Sequence, residues 1–139
     1  MNLEELDKIW SQCVDAVCRD LALERWQVEE ALAYGGCAAL ALSLNQSLDL
    51  PIYIAASENS YLHAFCAASD DKGLDIWGVR PFRTIKAVWS EDDPSVELLE
   101  ISAPDLWAMG GLHLCDEFKT VPSKLADRLI EALQALPEP

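Results

Sequence analysis

Leu3, Leu6, Trp10, Cys13, Val14, Val17 and Leu21 recur at three- and four-residue spacing, which predicts an amphipathic helix over 3–21. Cys13 and Cys18 fall within it and are expected to be small buried residues. A second short helix is predicted over 26–33, ending at Gly35, and a third from Cys37 to about Leu48, stopping before Pro51. The pattern then changes. Ile52-Tyr53-Ile54-Ala55-Ala56 is β-prone and bounded by Pro51 and by Ser57-Glu58-Asn59-Ser60, so it predicts a strand, with further strands over 61–68 and 74–79. Ser69-Asp70-Asp71-Lys72-Gly73 is the hairpin loop between those two.

Alternation puts His63, Phe65 and Ala67 on one face of the second strand and Leu62, Ala64, Cys66 and Ala68 on the other. Phe82, Ile85, Val88 and Trp89 fit a short helix after Pro81, whose other stripe holds Arg80, Arg83 and Lys86. Those three form the chain's one basic cluster, expected to be a solvated face with the option of lending positive charge to a nearby site. After the loop Ser90-Glu91-Asp92-Asp93-Pro94 comes a fourth strand over 96–101. Ser102 caps a helix over 103–109 that Gly110-Gly111 ends; 112–121 is irregular, and a last helix over 122–136 carries Leu125, Leu129, Leu133 and Leu136 on one stripe. Helices first, then strands joined by short connections, predict an α+β fold with a small antiparallel sheet in a single domain of 139 residues.

Ten Lys and Arg against 24 Asp and Glu give a formal charge of −14, which opposes direct binding to nucleic acid or to an anionic membrane surface. The acids are spread along the chain rather than gathered in a tail. Either they keep a folded protein soluble, or they engage a basic partner or imitate nucleic acid. The acidic N-terminal stretch lacks the marks of a secretory signal, no apolar run reaches membrane-spanning length, and five irregularly spaced cysteines suit reduced thiols. Together these predict a cytoplasmic protein.

Candidate chemistry centres on Gly35-Gly36-Cys37. A cysteine in the first turn of a helix lies at the positive end of the helix dipole, which favours thiolate, the nucleophilic form. It needs an imidazole to take and return its proton and a carboxylate or amide to orient that imidazole. The chain has two histidines, and His63 sits early in a predicted strand, whereas His113 sits in the irregular segment. Asp75 is the candidate orienter. With a loop of 69–73 and regular pairing, Asp75 lies beside Cys66 or Ala67, about 10–13 Å along the strand from His63, a gap that a bulge or a tilted loop would close; otherwise another group, or none, orients the imidazole. A zinc site built from His63, Cys66, His113 and Cys115 is the other chemical reading, but alternation turns His63 and Cys66 to opposite faces. No phosphate-binding or dinucleotide motif is present, and no cofactor is expected.

Gly-Gly-Cys-Ala-Ala-Leu-Ala at a helix start, His63-Ala64-Phe65 opening a strand and Gly73-Leu74-Asp75-Ile76-Trp77-Gly78 on the next resemble the papain-like and transglutaminase-like cysteine-nucleophile superfamily. The resemblance covers about a third of the chain. It implies a papain-like core with Cys37 as nucleophile, His63 as general base and acid, and Asp75 as orienter. It also implies peptide or amide hydrolysis, deamidation or acyl transfer through a thioester, acting on a protein or peptide. Papain-like proteases carry a glutamine six residues before the nucleophile; Ala31 stands there, so the backbone N–H of Cys37 or a neighbour is expected to hold the oxyanion. The alternative is a non-catalytic acidic binding or inhibitor protein on the same scaffold.

Overall fold

The computed structural model describes residues 2–58, 60–91, 93–110 and 114–137. Asn59, Asp92, Gly111 and His113, each part of an expected loop, helix stop or ligand set, lie outside the described residues, as does Leu112 of the irregular segment. Among the described residues, six α-helices, α1 (Leu3–Leu21), α2 (Arg25–Tyr34), α3 (Cys37–Leu48), α4 (Phe82–Ser90), α5 (Ala103–Met109) and α6 (Val121–Gln134), accompany five strands. The strands are β1 (Ile52–Ala56), β2 (Tyr61–Ala67), β3 (Lys72–Asp75), β4 (Gly78–Pro81) and β5 (Glu97–Ile101). They form one antiparallel sheet in the order β4-β3-β2-β1-β5, so the architecture is α+β.

α1 begins where the Asn2 side chain accepts the Glu5 N–H, and it buries Leu6, Trp10, Cys13, Val14, Val17 and Cys18. α3 is apolar on most of its circumference because it is enclosed, by α6 on one side and by β2 on the other. The Cys66 thiol donates to the Ala41 carbonyl (3.2 Å), fixing α3 against the face of β2 that also carries Ala64. The opposite face of β2 carries Phe65, which stacks on Tyr53 and meets Phe82 of α4 edge-on.

The expected strand over 74–79 is instead two strands. Its residues turn at Ile76-Trp77, and Asp75 pairs with Gly78. Asp75 Oδ1 accepts the Trp77 N–H (2.9 Å), and Gly78 takes φ +111°, so an Asp and a Gly at this spacing make a tight hairpin from what reads as one β-prone run. Arg80 consequently lies on β4 and not on the helix stripe with Arg83 and Lys86. In the segment expected to be irregular, Asp116–Phe118 forms one 3-10 turn and α6 begins at Val121.

α1 fastens this hairpin from outside the sheet. Trp10 Nε1 donates to the Ile76 carbonyl (3.4 Å), and Asp7 Oδ1 accepts the Val79 N–H (2.8 Å). A Cβ at Gly78 would strike that Asp7 carboxylate as well as strain the backbone. Gly78→Ala is therefore expected to lower stability by about 1–3 kcal/mol, read from urea unfolding. Gly35→Ala is the control: a Cβ there meets nothing nearer than the Ala31 carbonyl at 3.8 Å, and the midpoint should barely move.

Candidate functional site

β2 starts with a bulge. Ala56 pairs with Tyr61 and Ala55 with His63, leaving Leu62 as the extra residue beside the histidine. His63 is fully buried, as is Asp75 but for 2% of its surface. On the other side of β2, Cys66 pairs with Leu74 and Ala67 with Gly73. Continuing this register sets Asp75 opposite Phe65, on the face of the sheet that Phe65 shares with His63 and one diagonal step from it.

His63 Nε2 and Asp75 Oδ2 are 2.9 Å apart. The expected separation of about 10–13 Å is thus overturned, because β3 begins at Lys72 and the loop is shorter than 69–73. Asp75 Oδ2 also accepts from the Arg80 guanidinium (2.5 Å), which lies over the Trp77 ring, 5.1 Å from its centre. Arg80 is the part of the basic cluster that reaches the site; Lys86 instead faces Glu97 across 3.8 Å.

Cys37 is the first residue of α3 and 7% exposed. A Cβ on its N-cap, Gly36, would fall 3.0 Å from the Ala31 carbonyl and collide with Leu114 and Leu32, so this approach needs glycine. Gly36 also has no side chain to cap the helix, which leaves the first-turn N–H groups of α3 to other acceptors. Cys37 opens on a recess of about 280 Å³ shared with Tyr34, Gly35, Tyr61, Leu62 and Met109. Tyr61 donates its hydroxyl to the Gly110 carbonyl (2.8 Å), tying the end of α5 to this recess.

Burial of the His63 ring disfavours its charged form, but the hydrogen bond to Asp75, the neighbouring Cys37 thiol and the Asp75 charge outweigh it and lift the pKa to about 9. Burial pushes Asp75 the other way, yet its bond with His63, the charges of His63 and Arg80, and the Trp77 N–H hold its carboxyl below the usual range. With Nε2 committed to Asp75, Nδ1 is the nitrogen left for the thiol. It is buried and has no hydrogen-bond partner among the described residues. Trp89 stacks on the imidazole at 4.9 Å, and Tyr34 packs edge-on against both Trp89 and Trp77, roofing the ring against water.

His63 and Asp75 therefore come together, with Cys37 among the groups that act on the ring; for the alternative ligand set, no group of His, Cys, Asp or Glu among the described residues is placed to hold a metal ion. The Cys66 thiol is pushed by burial up to about 12 and bonds to α3, and His113 lies outside the described residues. Sequence reasoning missed Trp77, Trp89 and Tyr34, and named Arg80 only as one of a basic cluster with the option of lending charge to a site, which it does at Asp75. The spacing of Asp75 and Gly78 was a further signal, since a two-residue turn puts Asp75, Gly78 and Arg80 on one face.

The pKa shifts set the pH dependence of stability. His63 is raised, so its contribution is complete below about pH 6.5 and lost as pH climbs through about 9, amounting to about 3 kcal/mol. Asp75 is depressed, so its share is present above the ordinary carboxylate range and lost on acidification. Urea midpoints across pH should fall on both sides of a plateau; Asp75→Asn should flatten the alkaline fall, and Arg80→Met should move the acid fall to higher pH. Unchanged limbs in both variants would show that the ion cluster does not couple to folding. Compared with family models, with curated proteins and with solved structures, this chain matches none of them.

Proposed function

We propose that this chain is a small cysteine-dependent enzyme of papain-like or transglutaminase-like fold that cleaves or transfers acyl groups at amide bonds. The observation that carries the reading is the buried His63 ring, held at Nε2 by an ionised Asp75 2.9 Å away, with Nδ1 unpartnered and the Cys37 thiol at a helix start among the groups that act on the ring. A buried imidazole serving only packing would not need one nitrogen left unpaired beside a thiol.

In this mechanism His63, whose raised pKa keeps the ring protonated near neutral pH, stands by Cys37 as an imidazolium, and the sulfur attacks the substrate carbonyl carbon as the thiolate. The carbonyl π electrons move to oxygen, where the uncapped N–H groups of the first turn of α3 stabilise the anion. Collapse of the tetrahedral species breaks the C–N bond, and His63 returns its proton to the departing amine. Water or a second amine then attacks the thioester, the now neutral His63 takes its proton, and the C–S bond breaks to release the Cys37 thiolate, giving hydrolysis, deamidation or acyl transfer. Asp75 fixes the tautomer and steadies the imidazolium, and Arg80 positions Asp75. No cofactor enters this scheme. Among the described residues, no helix is long and apolar enough to cross a membrane.

Cys115 is exposed, so the test uses a Cys115→Ser background. Iodoacetamide should then alkylate native Cys37 ahead of Cys13, Cys18 and Cys66, whose burial raises their pKa values. His63→Ala should slow that alkylation by at least about tenfold, within the usual range for loss of a general base. p-Nitrophenyl acetate should acylate Cys37 with release of p-nitrophenol, and Cys37→Ala should abolish the adduct. A Cys37 that stays unlabelled until the protein unfolds would sink the proposal in favour of an acidic binding protein.

A further inference from the structure

The recess at Cys37 shares two walls, Tyr34 and Gly35, with a second, larger groove of about 470 Å³, which is lined along α2 by Ala31, Gln27 and Trp26 and on its other side by Leu114, Cys115 and Phe118. Its volume lies within the range of about 300–1,000 Å³ typical of ligand pockets. Trp26 is 62% exposed and Tyr34 68%, so two large rings of α2 stand in solvent on the wall leading to the thiol. Exposed aromatic surface of this kind marks a place where another molecule's apolar groups sit.

The charge around the groove has one sign. Glu30 and Glu117 line it, and no Lys or Arg does. Neither carboxylate is ion-paired with a described residue. The chain's charge of −14 adds a field that draws cations towards the groove and repels anions. A small neutral amide would leave both the rings and the carboxylates unused. A peptide with an aromatic or large aliphatic side chain next to Lys or Arg would use both.

We propose that this groove is the substrate-recognition site for peptide segments in which a bulky apolar residue is flanked by positive charge, delivering the reacting carbonyl to Cys37. The assignment rests on the Cys37 reading and adds to it the substrate class.

Peptidyl chloromethyl ketones test it, since the Cys37 sulfur displaces chloride and forms a C–S bond only when the peptide is seated beside it. In the Cys115→Ser background at low salt, a Phe-Arg peptide should inactivate Cys37 at least about tenfold faster than Phe-Glu or Ala-Ala peptides, a difference of about 1.4 kcal/mol. Glu30→Gln with Glu117→Gln should shrink the gap between Phe-Arg and Phe-Glu. Trp26→Ala should shrink the gap between Phe-Arg and Ala-Arg. Both changes are on exposed side chains and should leave iodoacetamide alkylation of Cys37 as it was. Equal rates for all peptides, with His63-dependent iodoacetamide alkylation intact, would overturn the groove assignment while leaving the thiol mechanism standing. Failure of every reagent to modify native Cys37 would overturn both.

Discussion

The Asp75 carboxylate is the point on which the site depends. It is buried, and burying an ion is costly unless hydrogen bonds replace its water. Three donors do so: His63 Nε2 and the Arg80 guanidinium on Oδ2, and the Trp77 N–H on Oδ1. Each comes from a different piece of chain, so satisfying one carboxylate fixes strand β2, the β3–β4 turn and strand β4 relative to one another. The same three donors hold Asp75 ionised, which in turn keeps a positive charge tolerable on a fully enclosed imidazole.

Support for that carboxylate comes from far away in sequence. Asp7 and Trp10 on α1 bind the backbone of the turn that carries it, and the turn can approach α1 only because residue 78 is glycine. The N-terminal helix thus both fills the core and holds the hairpin in register. On the other side of the site, glycine at position 36 lets the start of α3 press between Leu32 and Leu114, which brings the thiol to the open end of β2. Two close approaches, at Gly78 and at Gly36, fix the pieces of chain that carry Asp75 and Cys37.

The aromatic residues divide into two roles. Trp89 and Trp77 cover His63 and Arg80, excluding water where the charges are and so strengthening the interactions among them. Tyr34 touches both tryptophans and also lines the groove along α2, joining the roof over His63 to a surface with Glu30 and Glu117 on its rim.

Much of the helical framework was legible in the sequence. The stripe from Leu3 to Leu21 is α1 with the same ends, and Cys37 opens α3 as the glycines before it imply, because apolar periodicity and glycine stops are local signals. Cys37, His63 and Asp75 were legible as residue types in an order. What the sequence could not supply was their distance. Strand register is set by the turn and by packing on both faces, so a loop shortened by Lys72 joining β3 moves Asp75 from far along the strand to the neighbourhood of His63. Arg80 shifted from helix face to buried partner for the same reason, since the turn at Ile76-Trp77 depends on Asp75 capping its own backbone and on α1 holding it. The sequence by itself determined the α-helices and the chemical groups, because those are local signals; the long-range contacts of α1, β2 and the hairpin decided where the strands break and that His63 and Asp75 meet.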